Sequence, residues 1–125
     1  MKNLILIAFG GACGALSRYW VVNLINSFNR GSHFPYGTLA VNLVGSLLIG
    51  VMYVLITERL VLHPDWRSVA MVGFLGAFTT FSTFSLETIA LLENGQLLTA
   101  ALYTTSSLAF CFIAAWSAIQ LTRLF

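Results

Sequence analysis

Charge is what this chain most lacks: 8% of its residues are Asp, Glu, Lys or Arg, against about a quarter in an ordinary soluble domain. Six basic and four acidic side chains leave a net charge of +2. That is too little and too scattered for a nucleic-acid surface, which needs clustered Lys and Arg. Only two cysteines are present, Cys13 and Cys111, and both fall inside apolar stretches. No disulfide framework is expected, and no Cys or His pair has the spacing of metal ligands. Both read as small buried apolar residues. Also missing are a nucleophile–base pair, a phosphate loop and a metal cluster, so the chain is not read as an enzyme. No linker, low-complexity tract or clear internal repeat interrupts it.

What is abundant is apolar surface. Hydrophobic residues make up 58% of the 125, and the mean hydropathy is +0.89. The chain is read as one all-α membrane domain over residues 1–125, with no room for a soluble module. Met1-Lys2-Asn3 followed by an apolar run resembles a signal peptide. The run continues through Ile25 without an early Ala-x-Ala site, so it is taken as a retained first helix.

A helix needs about 20 apolar residues to cross the hydrocarbon core. Polar breaks divide the chain into four such stretches, over residues 4–27, 38–57, 68–92 and 97–123. Asn29-Arg30-Gly31-Ser32 closes the first, Glu58-Arg59 the second, and Glu93-Asn94-Gly95-Gln96 separates the last two. An even number of spans places both termini on one side. Lys2, Arg59, Arg67 and Arg123 lie on that side, against Arg30 and Arg18. The bias leans toward cytoplasmic termini, but it is small enough for insertion in both orientations.

The third span is the unusual one. Gly73-Phe74-Leu75-Gly76-Ala77-Phe78-Thr79-Thr80-Phe81-Ser82-Thr83-Phe84-Ser85 packs glycines, hydroxyls and phenylalanines into mid-membrane. Lipid cannot satisfy loosened backbone, so such a stretch survives only where protein or water covers it. It predicts a helix interrupted to hold an ion. Polar residues at depth are functional candidates by default. Thr38, Asn42 and Ser46 recur every four residues on the second span, a row of neutral donors on one helical face. Of these, Asn42 is read as functional and Ser46 as helix glue. Thr99, Tyr103, Ser107 and Cys111 repeat the spacing on the fourth span, as pore wall or as packing. Phe81 and Phe84 share a face; their electropositive ring edges can point at an anion. Gly10 and Gly14, with Gly11 and Ala15, allow close helix approach. Three roles are open to Arg18: snorkelling, holding helix ends, or drawing anions inward. Structural pairing is preferred, with Glu87 either its partner or a lone titrating group. One such four-helix unit is too slim to enclose a pore, so a homodimer is expected.

Gly14-Ala15-Leu16-Ser17-Arg18, Gly37-Thr38-Leu39-Ala40-Val41-Asn42 and Thr79-Thr80-Phe81-Ser82-Thr83-Phe84-Ser85 resemble, in order and along the whole chain, the Fluc (CrcB) fluoride channels. That resemblance implies an antiparallel, dual-topology homodimer in the plasma or inner membrane, with two parallel fluoride pores and passive export of fluoride. It assigns fluoride contacts to Asn42, Phe81 and Phe84, with hydroxyls from Thr38, Ser82 and Thr83, and a continuing polar track through Tyr103 and Ser107. It also implies a structural sodium ion at the dimer axis, held by the carbonyls of Gly76 and Thr79. The chain departs from the family at Ala77, where a second glycine is common, and at Cys111, where a hydroxyl would continue the track. Neutral amide, hydroxyl and ring-edge donors suit a small, strongly hydrated anion, because a fixed cation would hold it too tightly to release. The alternative reading is a small dual-topology multidrug-type transporter. Such pumps use a glutamate in the first helix, where this chain has Arg18 and no acid. A structural subunit without transport is the third reading, and it leaves the donor stripes unexplained.

Overall fold

Four helical stretches of the computed structural model, which describes all of residues 1–125, are long and apolar enough to cross a membrane. They run Lys2–Phe28, Tyr36–Glu58, Arg67–Glu93 and Leu97–Leu124. The first is one helix, α1 (Lys2–Phe28). The second is α2 (Tyr36–Tyr53), whose winding widens to a π-type turn over Val54–Glu58. The third begins π-wound at Arg67–Leu75, tightens into the single turn α3 (Gly76–Phe78), stops, and restarts as α4 (Phe81–Glu93). The fourth is α5 (Leu97–Leu124). Polar clusters end the spans where backbone groups must meet water, which is why the predicted boundaries fall close to the observed ones.

Packing follows the small residues. α1 lies along the π-wound segment and α3, while α2 lies along α5. A methyl group on Gly10 would overlap the Val69 carbonyl, and one on Gly14 would overlap the Phe74 carbonyl. Backbone thus meets backbone there, the close approach by which helices associate when both solvent and core are apolar. Beyond the interruption the third span changes partner. α4 packs on α5 and touches α2 at only a few positions.

Only 20 of 125 residues are buried, far too few for a protein stable in water alone. Phe9, Leu16, Trp20, Leu86, Ile89, Phe112 and Trp116 all stand exposed. Against lipid tails such surfaces carry no penalty. Both termini lie at one end of the bundle, as the even span count requires. Lys2 pairs with Asp65, Arg123 Nε donates to Glu58 at 2.9 Å, and Arg59 reaches the Arg123 carbonyl at 2.6 Å.

Candidate functional site

Between α3 and α4 the backbone is extended, at Thr79 (φ −83°, ψ 158°) and Thr80 (φ −152°, ψ 113°). Two residues of extended chain leave helical donors and acceptors without their usual partners, and side chains take over. The Leu75 carbonyl accepts both the amide and the hydroxyl of Thr79, at 3.0 and 2.9 Å. Thr80 donates its amide to Asn42 Oδ1 at 2.7 Å, and its carbonyl accepts from Asn42 Nδ2 at 3.1 Å. The Asn42 amide therefore stands in for a neighbouring strand, and the Gly76 carbonyl loses its regular helical donor, the Thr80 amide. Thr80 then caps α4: its hydroxyl accepts from the Thr83 amide at 3.1 Å and donates to Thr83 Oγ1 at 2.9 Å.

A cleft of about 400 Å³ opens beside this interruption. It brings together six of the residues predicted to handle ions: Asn42, Gly76, Thr79, Phe81, Phe84 and Ser107. Thr80, Ser46, Met71, Leu108, Cys111 and Phe112 complete much of its wall. The Ser107 hydroxyl is buried and has no hydrogen-bond partner, which is costly unless something in the cleft accepts from it. The two phenylalanine rings lie 5.4 Å apart, tilted by 44°. Their surroundings differ sharply, since Phe84 is 7% exposed and Phe81 73%. Phe84 continues into a run of rings, with Tyr103 at 5.2 Å and Phe34 edge-on to Tyr103 at 5.5 Å.

Thr38, Tyr103, Ser82 and Thr83 stand outside the cleft wall. Thr38 and Tyr103, both fully buried, donate to the two carboxylate oxygens of Glu87 at 2.8 and 2.7 Å. Glu87 is therefore not the partner of Arg18. The reason is the change of neighbour at the interruption, which carries α4 over to α5 while α1 stays with the first half of the span. Arg18 instead reaches the Thr79 carbonyl, at 3.4 Å. Ser82 and Thr83 sit on the exposed side of α4's first turn. Two residues were undervalued by sequence reasoning. Thr80 is the cap and the Asn42 partner, and a Thr preceding an apolar helix by one position is the signal that finds it. Ser46, read as glue, lines the cleft.

Chemically the interruption presents opposite poles. The C-terminal end of α3 offers hard carbonyl oxygens suited to a cation, and the N-terminal end of α4 favours an anion. The cleft adds neutral donors and no charged side chain.

Residues 5–119 match the family described as CrcB-like protein, Camphor Resistance (CrcB). The fluoride-specific ion channel FluC of Hahella chejuensis is 49% identical over 124 residues, covering 99% of this chain and 97% of the relative. The protein of that name from Methylococcus capsulatus is 49% identical over 121 residues, and there the match spans 97% of this chain but 53% of the longer relative. That of Coxiella burnetii is 44% identical over 122 residues, covering 97% of this chain and 98% of the relative.

Proposed function

The chain belongs to the CrcB family, and we propose that it is a channel conducting fluoride passively and selectively across the membrane. Relatives near half identical over almost their full length carry the name of fluoride-specific channels, not of enzymes or pumps. The observation in this chain that supports the reading is the cleft itself. It sits at an interrupted helix, is walled by neutral donors, and contains a buried Ser107 hydroxyl with nothing to donate to. Asn42 has one amide hydrogen left after serving Thr80, and the phenylalanine edges add weakly positive C–H groups. Many short neutral donors can replace fluoride's water without trapping the ion. The transporter alternative has no support in α1, which carries no acid, and Glu87 is already engaged by two hydroxyls.

Thr38 and Tyr103 then act on the path through Glu87, whose two oxygens hold their hydroxyls in place, while Ser82 and Thr83 offer donors from the exposed flank of α4. Hydroxyls on the exposed flank of α4 and an open cleft walled in part by polar groups are unsuited to lipid. A second copy of the chain is their natural cover. The small charge bias between the two ends supports pairing in opposite orientations, in the plasma or inner membrane. Such a dimer would join the interruptions of two copies near its axis. A sodium ion there would be held by the carbonyls of Gly76 and Thr79, and it would supply a fixed structural charge. The Gly76 carbonyl fits, because it lacks its helical donor, and both residues line the cleft, while the Thr79 carbonyl already accepts a long hydrogen bond from Arg18 at 3.4 Å.

Efflux from liposomes containing the purified protein is the direct test, with a fluoride electrode and chloride as control. Fluoride should leave rapidly while chloride stays. Equal efflux of both anions, or of neither, would overturn the proposal.

A further inference from the structure

The two cysteines sit at similar depth in different surroundings. Cys111 lies fourteen residues from the start of α5 and thirteen from its end. Cys13 lies eleven residues from the start of α1 and fifteen from its end. At a rise of about 1.5 Å per residue, both fall near the middle of the bilayer. Both thiols are free and half-buried, but Cys111 lines the cleft and Cys13 does not. The wall around Cys111 holds one other sulfur, the Met71 thioether, and the Ser107 hydroxyl one helical turn away. That hydroxyl is buried, at 5% exposure, and has no partner. A donor left in that state points to an occupant beside Cys111 rather than to a sealed packing gap. No charged side chain stands in this wall to repel a cation.

We infer that Cys111 makes the cleft a capture site for soft monovalent metal ions, silver(I) or copper(I), and that capture closes the ion path. Closure rests on the fluoride reading above, whereas capture needs only that water reach the cleft. Gly76 and Thr79 offer hard carbonyl oxygens, which suit ions such as sodium. Cys111 and Met71 offer soft sulfur, which suits the heavier ions and leaves the carbonyls out of the competition. The thiolate is the ligand, so the metal displaces a proton. Cys111–SH and Ag⁺ give Cys111–S–Ag and H⁺, with no change of oxidation state. These ions accept two ligands readily, and the Met71 thioether is the second sulfur facing the same space. A metal fixed beside Ser107 occupies room that an anion must cross, held by a sulfur–metal bond rather than by exchangeable hydrogen bonds. A hydroxyl at position 111 has no such chemistry, so the sensitivity belongs to the sulfur of this chain. Cys13, equally deep but outside the cleft, has no aqueous route and serves as the internal control.

Silver nitrate added to chloride-free proteoliposomes tests both steps, because silver fluoride is soluble and the permeant ion can be present throughout. After desalting, elemental analysis should find silver retained by the parent and by Cys13→Ser, and lost from Cys111→Ser. Fluoride efflux should fall to the rate of protein-free liposomes in the parent and in Cys13→Ser, and recover when dithiothreitol removes the metal. Efflux through Cys111→Ser should ignore silver. Equal retention by Cys111→Ser overturns the capture site. Silver held through Cys111 with undiminished efflux overturns closure and takes Cys111 off the path. Should Cys111→Ser fail to reconstitute, the parent alone decides through peptide mapping after N-ethylmaleimide. Silver should shield Cys111 from alkylation, and a Cys111 alkylated as fast with silver as without it overturns the inference. A parent that never conducts fluoride removes the fluoride reading and closure with it, while silver retention still decides capture.

Discussion

The two halves of the third span are close in length and opposite in fate. Arg67–Leu75 and α3 lie against α1 so closely that Gly10 and Gly14 meet carbonyl groups directly. α4, after two extended residues, leans on α5 with little else around it, and it leaves Phe81, Leu86 and Ile89 exposed. One half is an anchor with no slack. The other is a wall facing something outside the chain. Their meeting point is held by side chains rather than by helix: Asn42 grips Thr80 from α2, and Arg18 touches Thr79 from α1. On the proposed reading, a rigid anchor beside a thinly covered wall would present a fixed site to a second copy with its ion-facing residues held in place.

The sharpest way to break this comparison is to add bulk on the anchor side. Gly14→Val forces a branched side chain into the Phe74 carbonyl, and backbone cannot retreat as a flexible side chain can. Overpacking of this kind costs about 3 kcal/mol or more. We expect little assembled protein on size exclusion and rapid aggregation on mild heating. Gly76→Ala is the control within the same half, since a methyl there finds only an ordinary 3.7 Å contact with the Met71 carbonyl. It should assemble like the parent, because any ion at Gly76 uses the carbonyl alone. Equal behaviour of the two variants would mean that the close approach at Gly14 is not what makes the anchor rigid.

Much of this division was legible in sequence. Glycines four apart on the first span marked the anchor, and the run of threonine, serine and phenylalanine marked the interruption. Span limits followed from where charge and turn residues resume. Three things were not legible. Spacing put Phe81 and Phe84 on one face, but only the turn of α4 toward α5 decides that one is buried and the other open. Charge alone left Glu87 open as a partner for Arg18 or as a lone titrating group, whereas two hydroxyls from α2 and α5 reach it in the fold. Asn42 stood out as a polar residue at depth, yet its grip on both backbone groups of Thr80 depends on an extended geometry that no periodicity encodes.

On the wall side the expected effects are large for conduction and small for stability. Phe81→Ile and Phe84→Ile keep much of the apolar bulk and remove the ring edges. Each should cost under about 1.5 kcal/mol of stability, with Phe84 the dearer because it is buried against Tyr103. Fluoride efflux should nevertheless fall steeply in both. Asn42→Asp trades the amide donor for a carboxylate oxygen set against the Thr80 carbonyl, so it should lose both flux and about 1–3 kcal/mol of stability. Parent-like efflux from all three would place the ion path elsewhere and leave the cleft as simple packing space.

The smallest effect belongs to the anchor's outer rim, where Lys2 pairs with Asp65 at the mouth of the loop leading into the third span. Hydrogen bonding to Lys2 holds the Asp65 carboxyl below its usual value of 3.8, with Lys2's charge and His63 adding to the effect and partial desolvation opposing it. A carboxyl with a lowered folded pKa binds fewer protons folded than unfolded. Its contribution is therefore complete above the ordinary value and fades as pH drops through it toward the lowered one. The pair is exposed, so the gain is slight and screened by salt. Melting curves of the parent and Asp65→Asn should differ a little near pH 6 and converge below pH about 3.8. Added salt should shrink the difference at pH 6. A gap that persists at low pH would mean that Asp65 ties the rim down through its backbone geometry, not through its charge.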